Sequence, residues 1–138
     1  MTRKNDLIFR IENTEGRGPY YNEQSIITHN MYSLHSSKVR PGPRGDIRLK
    51  PHVTPEQYYG FESLQDLRKW FTLKDIRNFK KHDYHLKIFS VNKRECHKGN
   101  KQVMFKRHKA KIMASLSLNL VEKKDNLKVI EKSIRDIV

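Results

Sequence analysis

Residues 7 to 12, LIFRIE, alternate in a way that predicts a strand. Leu7, Phe9 and Ile11 share one face, while Ile8, Arg10 and Glu12 project from the other, which puts a cation in the middle of an otherwise apolar strand. The period changes at residue 64, where Leu64, Leu67, Trp70 and Phe71 line one helical face. Ser63 precedes that face and Asp66 lies three residues on, the spacing of a capping box. Thr72 and Asp75 repeat the device and open a second short helix with Leu73, Ile76 and Phe79 turned inward. YHLKIFSV (84 to 91) alternates again and ends at the polar, turn-like NKRECHKGNK. QVMFKR (102 to 107) then predicts a further strand, as a hairpin or a neighbouring pair with the previous one. Ile112, Ala114, Leu116, Leu118 and Leu120 fall on every second position and predict a half-buried strand. Leu127, Ile130, Ile134 and Ile137 return to helical spacing behind Asp125, a cap residue.

Between the first strand and the first helix lies a loop-rich region, residues 13–57. It is interrupted by Gly16, Gly18, Pro19, Pro41, Gly42, Pro43, Gly45, Pro51 and Pro55, with a short helix predicted within residues 25–34. The reading is therefore a single basic α+β domain over residues 1–138. Its frame is a roughly four-stranded, mainly antiparallel sheet with two short central helices and a C-terminal helix.

Charge adds the first functional constraint. The 138 residues hold 29 Lys and Arg against 15 Asp and Glu, a formal charge of +14. Between residues 74 and 111 the count is thirteen against three, so the excess is concentrated there. Such a field draws polyanions, whether nucleic acid, a phosphorylated small molecule or an acidic protein surface. Cys96 is the only cysteine, which excludes a disulfide within one chain and fits a reducing, cytoplasmic setting. The opening MTRKNDLIFRIE has too short an apolar run for a signal peptide, and no stretch approaches the ~20 apolar residues of a membrane span.

Most chemical signatures are excluded. His82, His85, Cys96 and His97 lack the spacing of a structural zinc knuckle, so no metal is assigned. The glycines form no phosphate loop, there is no G-x-S-x-G, and no carboxylate pair suggests acid and base work. Tyr58, Tyr59, Phe61, Trp70, Tyr84, Phe89 and Phe105 are interleaved with Lys and Arg, as a stacking platform for single-stranded nucleic acid requires. Most of these rings fall at positions read as core, so the electrostatic part of that reading is the stronger.

The order FRIE, GRGPY, YGFESLQDLRKWF and KQVMF resembles a family of small phage-encoded proteins of unsettled function, over most of residues 7 to 107. More remotely, Arg10, Ser63 and Gln102 resemble in order the Arg, Ser, Glu constellation of ADP-ribosyltransferases. That resemblance implies an ADP-ribosyltransferase-like fold in which Arg10 holds a phosphate or ribose of NAD and Ser63 braces the site. Gln102 stands where the catalytic carboxylate would be, and an amide offers no negative charge to a developing cation. Binding is thus favoured over catalysis, with an NAD- or ADP-ribose-like nucleotide, RNA or DNA as ligand, in the service of countering host defence or redirecting host metabolism in the host cytoplasm. Tyr20 and Tyr59 would stack on a base, and Arg40, Arg44 and Arg48 would close over it. The plain structural alternatives are Arg10 paired with Glu12 or a helix acid, Ser63 as a cap alone and Gln102 as an ordinary strand residue. A second functional reading is an interaction protein whose basic face, Lys80, Lys81, Arg94, Lys106 and Arg107, docks on an acidic host protein or blocks a nucleic-acid channel. A third is an active transferase using Glu12, Glu62 or Glu95.

Overall fold

The computed structural model describes residues 5–19 and 57–138. The loop-rich region is therefore described only at its two ends. Tyr20, Arg40, Arg44, Arg48 and the helix predicted within residues 25–34 lie outside the described residues.

The alternating segment LIFRIE forms β1 (Asn5–Glu12), paired antiparallel with β3 (His85–Asn92) from Asn5↔Asn92 to Glu12↔His85. β3 in turn pairs with β6 (Lys111–Leu116), giving the order β1-β3-β6. A second sheet has the order β2-β5-β4, from β2 (Gln57–Gly60), β4 (Cys96–Lys98) and β5 (Val103–Lys106), again antiparallel. Phe9 and Phe61 join the two sheets through reciprocal backbone hydrogen bonds of 2.8 Å. The mixed α and β architecture expected from the sequence is present, with four α-helices among the described residues.

β1 is buried from Ile8 to Glu12 because both its faces are covered. Phe9 and Ile11 face a core completed by α1 (Leu64–Trp70), α2 (Leu73–Lys80), α3 (Asn119–Glu122) and α4 (Leu127–Ile137), with Leu64, Leu67, Ile76, Phe79, Val121, Leu127 and Ile134 all buried there. Ile8 faces a smaller core between the sheets, with Phe89, Val91, Val103 and Phe105. Rings run through the first core as Trp70, Phe61, Phe71, Phe79 and Tyr84, with successive centroids 5.2–5.9 Å apart. Phe89 and Phe105 meet at 5.3 Å in the second. These aromatics are spent on packing, in arrangements that favour edge and tilted contacts.

Several boundaries differ from the sequence reading. The strand predicted to continue to Leu120 ends at Leu116. Leu118 then turns into the core and starts the one-turn α3, which leaves Leu120 36 % exposed. QVMFKR does not pair with YHLKIFSV: β5 pairs with the short β4 that precedes it and with β2 on its other side, so the two alternating segments belong to different sheets. The cap of α4 is Asn126 rather than Asp125. Thr72 and Asp75 form a complete capping box. At α1 only half the box is made: Ser63 Oγ accepts from the Asp66 N–H, while the Leu64 N–H donates to Glu131 Oε1 at 2.7 Å. The C-terminal helix thereby supplies a carboxylate to the start of α1, where an anion is favoured by the exposed N–H groups. Arg135 extends the same junction, donating to the Glu62 carbonyl and lying 5.6 Å from the Phe9 ring centroid.

Candidate functional site

The alternation that buries Ile8 carries Arg10 and Glu12 onto the same face, under the second sheet. A lone guanidinium there would be costly, since removal from water disfavours charge. Arg10 Nε donates to Glu12 Oε2 at 2.9 Å and Nη1 to the Tyr59 carbonyl at 2.8 Å. Arg107, in the turn after β5, donates to the same carboxylate through Nη2 (2.7 Å to Oε1) and Nε (3.2 Å to Oε2). Two cations thus share one carboxylate whose side chain is fully buried. Arg10 also lies 5.0 Å from the Tyr58 ring centroid, and Arg107 5.4 Å from that of Phe89.

The electrostatics follow from this sharing. Burial pulls Arg10 below the ordinary arginine value, while its bond and attraction to Glu12 oppose the shift. Burial pushes Glu12 up, but the hydrogen bonds from Arg107 and Arg10 outweigh it and hold the carboxyl below its usual range. The same bond raises Arg107.

A tight turn lies against both guanidiniums. Asn13 organises it: its Oδ1 accepts from the N–H groups of Glu15 and Arg17, and its carbonyl accepts from the Gly16 N–H. Gly16 has φ +79°, and a Cβ there would stand 3.1 Å from Arg107 Nη2. A Cβ at Gly18 would stand 3.0 Å from Arg10 Nη2. The GRG tripeptide is thereby explained as the close cover of two arginines.

The other predicted site residues are distributed around the fold. Ser63 opens the helix that packs on the Phe9 face of β1, whereas Arg10 projects from the opposite face, so the pair stands in different layers. Gln102 is buried just before β5, and its carbonyl accepts from the Gly99 N–H at 2.8 Å. Tyr59 meets Arg10 through its carbonyl, and the ring set against the guanidinium belongs to Tyr58. In the expected basic face, Lys80 binds Glu122 at 3.0 Å and Arg107 is turned onto Glu12, while Lys81 and Arg94 are exposed and Lys106 is half-buried. The alternative carboxylates are also engaged: Glu12 in the triad, Glu62 with Lys98 and Glu95 with Lys109. Among the described residues, no group of three or more His, Cys, Asp or Glu is placed to hold a metal. No described helix is long and apolar enough to cross a membrane.

Sequence reasoning missed Arg107 as a partner of Glu12 and Lys87 as the neighbour of Arg10. Lys87 is the direct cross-strand partner of Arg10 in the β1–β3 register and shares its face. No local signal links Arg107 to residue 12, because 95 residues separate them.

Residues 1–119 match the family described as Bacteriophage T4 Y00F protein. The chain belongs to that family. The match takes in the arginine–glutamate triad, the glycine turn and Lys87, and ends before α4. No curated protein and no solved structure matches the chain.

Proposed function

We propose that this phage protein binds a phosphate-bearing ligand, with nucleic acid as the ligand its charge fits best. The observation that carries the reading is a set of unspent cations: Lys74, Lys81, Arg94 and Lys111 are exposed and make no ion pair among the described residues. They come from the acid-poor stretch that supplies α2, β3, β4 and β5, in a chain of formal charge +14. Neutralising phosphates with such groups releases counterions and drives binding without base recognition. The narrower reading, an NAD- or ADP-ribose-type nucleotide held by Arg10 and Ser63, rests on the order of those residues along the chain. Its support is weaker, because the guanidinium of Arg10 is engaged by Glu12 and Tyr59. The role of the binding in infection is to counter host defence or redirect host nucleic-acid metabolism.

The test is fluorescence anisotropy with labelled single-stranded RNA, single-stranded DNA and duplex between 50 and 200 mM salt, with NAD and ADP-ribose as competitors. The expected result is an affinity that falls with a log–log slope of about 3 or more, the mark of several phosphate contacts. A salt-independent affinity, or no binding at low salt, overturns the reading.

A second reading, docking on an acidic host protein, is favoured by one feature of α2. Arg77 and Lys80 together grip Glu122 at 3.2 and 3.0 Å, so that surface already engages a carboxylate with two cations. Binding to acidic polypeptide but not to oligonucleotide would select it.

A further inference from the structure

Tyr58 carries the exposed ring of the described residues. It is 36 % exposed, whereas every other described Phe, Trp and Tyr except the half-buried Tyr59 is 9 % exposed or less. A lone exposed ring is ordinary on a protein surface, but this one is held from beneath. The Arg10 guanidinium lies over the ring, 5.0 Å from its centroid, and is itself fixed by Glu12 Oε2 at 2.9 Å and the Tyr59 carbonyl at 2.8 Å. Arg10 is 8 % exposed, so the ring is the outer member of the pair, and its exposure belongs to the side away from the cation. β2 fixes the root of the side chain as well, because Tyr58 pairs directly with the fully buried Phe105 of β5. A ring held at its root and on one face has little freedom left to lose when a second flat group lies on the other. Alternation along β2 sends Tyr59 to the opposite face, so the open ring of Tyr58 stands alone. Arg107, whose side chain is 29 % exposed, is bonded to the same carboxylate as Arg10, which adds a partly exposed cation to the cluster on which the ring rests.

We propose that the outer face of Tyr58 stacks on an unpaired nucleobase of a single nucleic-acid strand, with Arg10 as the positioning residue that holds the ring. The proposal rests on the nucleic-acid reading above and adds to it a contact with the base rather than with phosphate. In a duplex the faces of the bases are already stacked on their neighbours, so the contact selects single strands. Every base has such a face, so the selection is indifferent to sequence.

The experiment uses the full chain, the variants Tyr58→Leu, Tyr58→Phe and Tyr58→Trp, and two labelled probes of equal length and charge: an oligodeoxythymidine and an abasic deoxyribose-phosphate strand. By fluorescence anisotropy, wild type is expected to bind the base-bearing strand about tenfold tighter than the abasic one. Tyr58→Leu is expected to lose that margin, while its affinity for the abasic strand and the salt slope stay as in wild type. Tyr58→Phe is expected to keep the margin, because stacking needs the ring and not the hydroxyl. Should Tyr58→Leu unfold by uncovering Arg10, Tyr58→Trp decides: the emission it adds is expected to be quenched by the base-bearing strand and not by the abasic one. Absence of that quenching overturns the stacking. Equal binding of the two probes by wild type also overturns it and leaves the polyanion reading standing, as does a margin that survives in Tyr58→Leu, which would place the base elsewhere. Binding of neither probe by wild type overturns both.

Discussion

Glu12 and Arg107, 95 residues apart in the chain, meet side by side, with Oε1 2.7 Å from Nη2 and Oε2 3.2 Å from Nε. The same carboxylate holds Arg10, so its loss strands a buried cation and unties the turn after β5 from β1. Replacing Glu12 with Gln is expected to cost ~3–5 kcal/mol, the range for breaking a buried ion pair on one side. The urea midpoint of the variant checks this. A shift within ~0.5 kcal/mol of wild type would place Glu12 outside the stabilising framework.

The same carboxylate sets a pH dependence. Its folded pKa lies below the unfolded value, because the bonds from Arg107 and Arg10 outweigh burial. The stability it contributes is therefore fully present above the ordinary carboxylate value of about 4.3, and is lost as pH falls through that range toward the folded value. Thermal midpoints between pH 7 and pH 3 should fall more steeply for wild type than for Glu12→Gln. Parallel profiles would contradict the assignment.

The turn over the guanidiniums makes a second kind of demand. Alanine at Gly16 faces an unfavourable positive φ and presses on Arg107, so a loss of ~1–2 kcal/mol is expected. At Gly18 the backbone is ordinary, and the cost comes from pressing on Arg10 Nη2, ~1–3 kcal/mol if the buried side chain cannot yield. Denaturant titration of the two single variants measures both values, and a neutral Gly16→Ala would refute the packing of the turn.

Removing residues 120–138 takes Val121, Leu127 and Ile134 from the first core and removes the Val121 and Glu122 carbonyls to which Arg68 donates. Each buried aliphatic side chain is worth ~1.5–3 kcal/mol, and a domain's whole margin is ~5–15 kcal/mol. The truncated chain is expected to lose cooperative thermal unfolding by circular dichroism, although the family match reaches residue 119.

Cys96 should be a sluggish thiol. Burial first, then the carboxylates of Asp6, Glu62 and Glu95 against the opposing Lys98, push it up to about 11. At pH 8 its reaction with a disulfide reagent is expected to be on the order of 100-fold slower than that of free cysteine, and to rise about tenfold per pH unit up to pH ~10. A fast, pH-independent reaction would contradict that environment.

What the sequence reveals depends on range. The face split of β1, the paired helices and both cap positions are local, and each is set by residues within a few positions of one another. The pairing of Arg10 with Glu12 was also within reach as the plain alternative, because both lie on one face two residues apart. β2 and β4 are four and three residues long, too short for a period to declare itself, and β4 lies inside a segment that reads as a turn. The alternation from Ile112 to Leu120 misleads at its end because the demand for buried apolar surface is met there by a helical turn at Leu118 and Val121. The triad around Glu12 needs the joining of the two sheets at Phe9 and Phe61 and a long-range closure that brings Arg107 across. Neither is written in any window of neighbouring residues.

Arg10 also touches the backbone on both sides of residues 20–56: it lies against Gly18 before them and grips the Tyr59 carbonyl after them. One side chain therefore acts as a clasp between the turn at Gly18 and the strand at Tyr59. Undoing the clasp would free the turn after β1 from β2 in one step.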